Sequence, residues 1–488
     1  MADESELLCD VAVVGAGAAG LYAALSAAEA GARVALVSAT PLAQTASYWA
    51  QGGIAAALAF DDSPARHLRD TERAGREAVR HSAAKVLCDE APARVADLER
   101  LGVHFDADRR GVLALGLEGG HLLRRVVHAG GSATGRRVVR QLSALAVDEP
   151  RVHVIEGARA SSARMREERC EGIALEDGRA IRARATIIAT GGAAALWSRT
   201  TNPPGSLGIG VAIAHAAGAE VADLEFLQFH PTAVIGVPGR EGFLVTEAIR
   251  GEGATLHNAD GERFVEELAP RDEVARSIAL LLAQTGATSV GLDMRAIDPA
   301  RFPNVVSALR EAGLDPTRER VPVSPAAHYM MGGVVTDLHG ASTVPGLYAV
   351  GETACTGLHG ANRLASNSLS ECLVFGARAA LAGLDEPAPL TAATGPTIEP
   401  PAVALARPER ATQEALWRNA GIVRTREGLQ SLLDDPHPLA RLIAVCALRR
   451  EESRGAHQRA DFPATDAELN HRHAVVSADE RSRLEHWE

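Results

Sequence analysis

At 488 residues the chain is longer than one hydrophobic core usually sustains, so two or three domains are expected. A formal net charge of −12, with Lys85 as the single lysine, leaves no basic patch interleaved with aromatics, which argues against nucleic acid, and no apolar run is long enough to cross a bilayer. The acidic start, Met1 to Leu8, argues against export, and Cys9, Cys88, Cys170, Cys355, Cys372 and Cys446 are scattered without a C-x-x-C pair, so buried thiols in a cytosolic (cytoplasmic) protein are expected rather than disulfides or a metal site.

In chain order, Val11 to Val14 is an apolar β-branched run, followed by Gly15-Ala16-Gly17-Ala18-Ala19-Gly20 and an Ala/Leu-rich stretch ending near Gly31. That order reads as strand, tight glycine turn and helix, and the run Arg33 to Val37 completes a βαβ unit. A G-x-G-x-x-G turn can serve helix–sheet packing alone. In this context it also turns backbone N–H groups and a helix N-terminus toward a pyrophosphate, so Gly15, Gly17, Ala18, Ala19 and Gly20 are candidate dinucleotide contacts. Ser38 stands where an acidic ribose ligand is usual, and its hydroxyl can still hydrogen-bond.

Arg151 to Glu156 and Thr186 to Ala189 read as further strands, the second running into the small-residue turn Thr190-Gly191-Gly192. Glu225 to Gly333 carries few strand signals, several glycine turns and a helical pattern from Asp272 to Ala283, which suggests an insertion. The strand Leu347 to Val350 then returns and ends in Gly351-Glu352, with Asn367-Ser368-Leu369 soon after. Glu352 can meet ribityl hydroxyls, while the Asn-Ser-Leu turn can offer backbone donors to the electron-rich edge of a flavin. With the N-terminal unit these pieces point to FAD rather than NAD. A Pro/Ala/Thr-rich stretch from Glu386 to Pro408 has linker composition, and Ala411 to Arg450 shows helical spacing through Leu416, Trp417, Leu429, Leu432, Leu433, Leu442, Ile443 and Val445. The expected division is 1–224 and 336–385 for the two parts of the nucleotide-binding domain, 225–335 for the insertion, 386–408 for the linker and 409–488 for a terminal helical domain.

Longer motifs carry a resemblance. Ala50-Gln51-Gly52-Gly53-Ile54-Ala55-Ala56, Glu225 to Thr232, Thr246 to Gly253, Pro270-Arg271-Asp272, His328 to Gly333, His359 to Leu364 and Glu452-Ser453-Arg454-Gly455 follow one another as in the flavoproteins comprising L-aspartate oxidase and the flavoprotein subunits of fumarate reductase and succinate dehydrogenase, which this chain resembles over nearly its whole length. The resemblance implies an α/β fold: a split Rossmann-type FAD-binding domain, an inserted α+β capping domain and a C-terminal helical domain. It adds Gln51, Gly52 and Gly53 to the flavin contacts. Ala46 occupies the position of a flavin-linked histidine in the membrane-complex members, so non-covalent FAD is implied, and Ile209 replaces the usual Asp of a Gly-Asp-Gly turn.

The resemblance also implies a C4-dicarboxylate site: Arg363 with His328 for one carboxylate, His230 with Thr246 for the other, Arg271 as the proton-moving group of succinate/fumarate chemistry, and Glu247 with Arg250 as its relay. Taken singly, each histidine or arginine is as well explained by structural hydrogen bonds or ion pairs. Glu118 matches the acidic residue of the aspartate oxidases. A buried carboxylate repels fumarate or succinate but can pair with the ammonium group of L-aspartate, which makes aspartate the expected substrate, with dioxygen or fumarate as electron acceptor. A soluble fumarate reductase or a membrane-complex flavoprotein is the alternative. An aspartate-oxidising member would start the de novo route to NAD and hand iminoaspartate to quinolinate synthase.

Overall fold

The structure, a computed structural model, describes residues 6–42, 44–388 and 407–488. Most of the 386–408 linker and the first residues of the acidic start lie outside the described residues. Its centre is a five-stranded parallel sheet in the spatial order Leu347–Ala349, Ala185–Ile188, Val11–Val14, Val34–Ser38, Val152–Glu156. The strands at its middle are apolar on both faces because both faces are covered, as parallel sheets require.

One face packs on the helices Ala18–Glu29 and Asn367–Ala382 through Val11, Val13, Leu36 and Ile187. The alanines of the first helix let the second lie close against it. Ala12, Val14, Val37 and Ile188 on the other face meet a second sheet, in the order Glu6–Leu8, Ala180–Arg182, Arg169–Leu175, Ala160–Arg166. The strands foreseen in the sequence for the parallel sheet fall within one residue of those observed.

The segment between Ile188 and Leu347 contains a four-stranded antiparallel sheet, Leu227–Val234, Val321–Met330, Val290–Asp293, Thr255–His257, with the helices Arg271–Thr285 and Pro303–Glu311. Val245, Ile249, Val274, Ile278, Leu292, Val305, Leu309 and Val323 form its core. The weak strand signal has a physical cause. Gln228, His230, Pro231 and Thr232 interrupt one strand and Pro322, Ser324, Pro325 and His328 the other, and register shifts accompany the first set.

Beyond the linker the helices Arg410–Asn419, Arg426–Ser431 and Pro438–Arg449 match the helical spacing, although Leu433 faces solvent. The terminal region is not helical throughout: the hairpin Arg472–Val476/Ser482–His486 completes a mixed sheet with Val221–Ala222, Gly333–Val335 and Ala354–Cys355. Arg450 holds this junction. Its guanidinium donates to Glu225 Oε1 at 2.6 Å, to Glu452 Oε1 at 3.0 Å and to the Arg472 carbonyl at 2.6 Å, and lies 4.7 Å from the centre of the Phe226 ring. Burial pushes the Glu225 carboxyl up to about 7 despite the adjacent guanidinium.

Removing one member of a buried ion pair strands the other, so Arg450→Met is expected to cost about 3–5 kcal/mol of stability by chemical denaturation. The loss is expected to be larger at pH 8 than at pH 6, because Glu225 takes up a proton at the lower pH and sheds the charge that Arg450 balanced. A denaturation midpoint that does not move would remove this cluster from the stability of the junction.

Candidate active site

The glycine turn after the first strand sits at the centre of the parallel sheet. Gly15 has φ +111° and lies against the Ala189 carbonyl, while Gly20 lies against the carbonyl of Gly15, so side chains at either position would wedge the turn open. Gly17 caps the helix without a side-chain partner, and the Ala18 N–H donates to Ser47 Oγ at 3.1 Å. Across the sheet Gly191, φ +80°, has open space where a Cβ would stand, and its N–H donates to Thr353 Oγ1 at 2.9 Å. Thr190 Oγ1 accepts from the Gly210 N–H, and Gly192 packs on Glu352. Ile209, the departure from the family turn, packs into two of the apolar clusters instead of bonding the turn.

Glu352 Oε1 accepts the Met330 N–H at 2.9 Å, and burial pushes its carboxyl up to about 7. Asn367 opens the helix Asn367–Ala382, but its side chain is turned away, to His67 Nε2 at 2.7 Å and Thr71 Oγ1 at 3.0 Å. The donors left open here are therefore backbone N–H groups of the first helical turn, at Ser368 and Leu369, which lack intrahelical partners. The Ser38 hydroxyl donates to the Thr40 carbonyl at 2.6 Å, so toward a ribose it is an acceptor and no longer a donor.

Gln51, Gly52 and Gly53 come from the loop before strand Ile54–Ala55. Gln51 Nε2 donates to the Leu244 carbonyl, its buried Oε1 has no partner, and the Gly53 N–H donates to Ser366 Oγ at 3.2 Å. A glycine-lined helix N-terminus, open space at Gly191 and an orphaned amide oxygen fit a dinucleotide with a ring system that needs polar contacts.

The dicarboxylate candidates converge beside this cleft. Gln228 Oε1 accepts from Arg271 Nη1 at 2.9 Å and from Arg363 Nη2 at 3.2 Å, so one amide oxygen separates two guanidiniums. Its Nε2 donates to Asn362 Oδ1 and to the Arg363 carbonyl, both at 2.9 Å. Arg363 lies 4.0 Å from the centre of the Tyr329 ring, whose hydroxyl donates to Glu371 at 2.7 Å, and Arg363 Nε has no partner. Burial, then the charge of Arg271, lower the Arg363 guanidinium to about 10.

Arg271 Nε donates to Glu247 Oε2 at 2.6 Å, and Glu247 Oε1 lies 3.1 Å from Arg250 Nη2. Arg250 continues to the Glu267 carbonyl. Burial works against the Glu247 carboxylate, but the guanidiniums of Arg271 and Arg250 outweigh it and hold its pKa below the usual value. The three therefore form one connected chain. Thr246 is buried at the N-cap of the short helix Glu247–Gly251 without capping it.

His230 and His328 meet edge to face, ring centres 5.0 Å apart. Burial, then surrounding positive charges, Arg271 first for His230 and Arg363 first for His328, keep both well below the ordinary histidine range, so both are neutral. Because His230 Nδ1 accepts the Thr232 N–H at 3.3 Å, its proton sits on Nε2, a buried donor without a partner.

Glu118 is buried one residue from Gly119, which packs against Glu247. Ser366 Oγ donates to its Oε2 at 2.6 Å, and burial is overcome by His128, Ser366 and Arg271, which hold the carboxyl down to about 2. The sequence reading missed Gln228, Ser366 and His128. Gln228 lies inside a quoted motif, but a neutral amide announces no chemistry until the two arginines are seen on it. Ser366 has φ +62°, unusual for serine, which no local sequence pattern signals.

Residues 10–369 match the family model described as an FAD binding domain, and residues 433–487 match the one described as the fumarate reductase flavoprotein C-terminus. The chain is 42% identical to the L-aspartate oxidase of Streptomyces coelicolor, over 96% of this chain and 91% of the relative, and 45% identical to that of Caulobacter vibrioides, over 93% of each. Among solved structures, a chain of E. coli quinol fumarate reductase superposes with TM-score 0.87 at 27% identity, covering 99% of this chain and 97% of the other. The Sdh1 complex of Mycobacterium smegmatis gives TM-score 0.83 at 30% identity, covering 99% and 95%. With glycine cleft, buried arginines and Glu118 in one fold, the chain belongs to the FAD-binding flavoprotein family of the L-aspartate oxidases and the fumarate reductase and succinate dehydrogenase flavoproteins.

Proposed function

We propose that this protein oxidises L-aspartate to iminoaspartate with FAD as its cofactor, at the cleft formed by Glu118, His230, Thr246, His328, Arg271 and Arg363. The observation that carries this reading is the buried, anionic Glu118 carboxylate in a cluster otherwise rich in guanidiniums. Arg271 and Arg363 can face two carboxylates, and Glu118 adds a negative charge that an ammonium group can balance and a plain dicarboxylate cannot.

When bound, FAD supplies a hydride acceptor; the residues that would hold it are Gly15, Gly17, Ala18, Ala19, Gly20, Ser38, Gln51 to Gly53, Thr190 to Gly192, Glu352 and the Asn367-Ser368-Leu369 turn. Arg363, with an unpartnered Nε, grips one carboxylate together with His328. The free Nε2–H of His230, with Thr246, donates to the other. Fixing both ends orients the Cα–H bond and removes the freedom a single contact would leave. Arg271 stabilises negative charge, and when the cleft works on fumarate it passes a proton that the Glu247–Arg250 chain restores.

Dioxygen or fumarate is the terminal acceptor in this reading. The likeness to E. coli quinol fumarate reductase and the connected Arg271 chain favour fumarate as a second substrate. Because the imine hydrolyses in water, transfer to quinolinate synthase is its useful fate. Among the described residues no helix is long and apolar enough to cross a membrane, and the six cysteines are free thiols, in keeping with a reducing cytoplasm.

Anaerobic bleaching of the flavin by L-aspartate, run beside succinate, tests the reading. Bleaching by aspartate is expected in the native protein, and bleaching by succinate alone would replace the proposal with the fumarate reductase reading. In Glu118→Gln the loss of a charge-assisted contact is expected to lower kcat/KM for aspartate by about ten- to a hundredfold, with fumarate reduction unchanged or improved. Equal losses on both would strip Glu118 of its selecting role.

Arg363→Lys, which cannot reproduce the planar fork, is expected to cost on the order of 2 kcal/mol or more in kcat/KM for aspartate, and a near-native value would remove Arg363 from the site. With Ala46 in place of a linking histidine, acid denaturation should release all FAD into the supernatant; flavin fluorescence on the denatured band would contradict this.

A further inference from the structure

Two buried polar atoms face each other beside the cleft at a separation too long for a well-formed hydrogen bond. Glu118 Oε1 and His128 Nε2 stand 3.4 Å apart, and neither has a hydrogen-bond partner, although Glu118 Oε2 takes the Ser366 hydroxyl at 2.6 Å. His128 directly follows strand Val126–Val127, and its ring is seated against Gly116 of the paired strand, where a Cβ would come 2.7 Å from Cε1. Its carbonyl accepts the Asp106 N–H at 2.7 Å. Packing against Gly116 thus sets the ring with Nε2 toward Glu118 Oε1. Glu118 Oε1 is also the carboxylate oxygen nearest Gly52 of the flavin loop, 3.8 Å from where a Cβ would stand. An unsatisfied buried polar atom is costly, and a cationic group carrying several N–H bonds would satisfy both of these at once.

We propose that His128 is the base that takes the proton from the substrate ammonium, with Glu118 as the anionic partner of that group; this rests on the aspartate reading above. One N–H bond of the ammonium breaks and its proton passes to His128 Nε2. The electron pair stays on the amine nitrogen and becomes the second C–N bond when Cα gives up its hydride to FAD. The amine has then lost one proton to the protein, Cα has lost a hydride to the oxidant, and the product leaves as the protonated imine.

No other group in the cleft is as well suited. Glu118, whose Oε2 already takes the Ser366 hydroxyl and whose carboxylate is also stabilised by Arg271, is a weak base. Arg271 is protonated at rest and is engaged by Glu247 and Gln228. His230 carries its proton on the nitrogen that would have to accept one. A neutral imidazole can accept a proton at Nε2 when its own proton is on Nδ1, which matches the task. The charged groups around His128 are Glu118 opposite its ring, with Glu247 and Arg271 behind Gly119, and Asp106, whose carboxylate is taken up by the N–H groups of Gly130 and Gly131 at 2.7 and 2.8 Å. A general base must be unprotonated to act, so aspartate oxidation is expected to carry an acid limb that depends on His128.

The test uses the FAD-loaded protein and anaerobic flavin reduction by L-aspartate across pH, for native, His128→Ala and His128→Asn, each checked for FAD content and thermal midpoint. A general base is worth about a hundredfold or more, so both variants are expected to lose that much near neutral pH, and the loss should shrink as the pH approaches the ionisation of the amine itself. Added imidazole is expected to restore His128→Ala at least about tenfold through the space the side chain vacates. The loss on aspartate should also exceed any loss on fumarate reduction by at least about tenfold, since fumarate has no ammonium.

A native acid limb in both variants, no rescue by imidazole, or equal losses on the two substrates would overturn the assignment. If aspartate fails to reduce even the native flavin, the aspartate reading and the base fall together. If it reduces the native flavin and the variants keep the native pH profile, only the base falls. Should His128→Ala not retain FAD, the pH profile of His128→Asn decides.

Discussion

Burying guanidiniums side by side is the constraint around which the rest of this structure is arranged. Arg271 and Arg363 share the oxygen of one glutamine, and neither could be withdrawn from water without compensation. The compensation is drawn from distant parts of the chain: Glu247 from a short helix, Tyr329 from a strand of the inserted segment, and Glu371 from the helix that opens beside the flavin loop. Each of these is itself buried, so each demands further partners, His359 for Glu371 and Arg250 for Glu247. The inserted segment and the parallel sheet are thereby fastened to one another by the same charges that line the cleft.

The same positive field fixes the state of the neutral groups. His230 and His328, deprived of solvent and surrounded by guanidiniums, do not charge, so they offer directional hydrogen bonds in place of additional cations. A cleft of five positive charges would hold any dianion. With two neutral imidazoles and the Glu118 carboxylate, selectivity depends on what the ligand brings. Ser366 ties Glu118 to the neighbouring loop: its hydroxyl bonds Glu118 and the Gly53 N–H, and its carbonyl takes the Ala55 N–H, so a single left-handed serine links the carboxylate with the loop of residues 51–53.

How much of this could be read in advance depended on whether the physics was local. The runs Val11 to Val14 and Arg33 to Val37 around a glycine turn admit one local structure, and the strands lie within one residue of expectation. The strands Leu227–Val234 and Val321–Met330 were obscured because the residues that serve the site displace the alternating pattern of an ordinary strand. The terminal hairpin was hidden differently: Ser482–His486 is an edge strand with Arg483 and Glu485 on one face and a single apolar residue, Leu484, on the other, and only the buried run His473 to Val476 hinted at a sheet. The charged residues of the long motifs are ones the structure brings into one cleft. The neutral amide of Gln228 and the imidazole of His128 acquire meaning only from what the fold sets opposite them.

The order of strands in the parallel sheet has a consequence for how the molecule is made. Leu347–Ala349 joins the sheet beside Ala185–Ile188, yet the whole inserted segment is synthesised between them. The edge of the sheet therefore waits, unpaired, while the insertion forms its own antiparallel core, and closing so long a loop carries an entropic penalty that slows the last pairing. Glu352 and the Asn367 helix arrive with that last strand, whereas the glycine turn is already present. A cofactor that touches both would bind the completed sheet and not its open precursor, so flavin supply during synthesis acts by mass action as a folding ligand, and flavin-starved cells would accumulate chains with an exposed sheet edge.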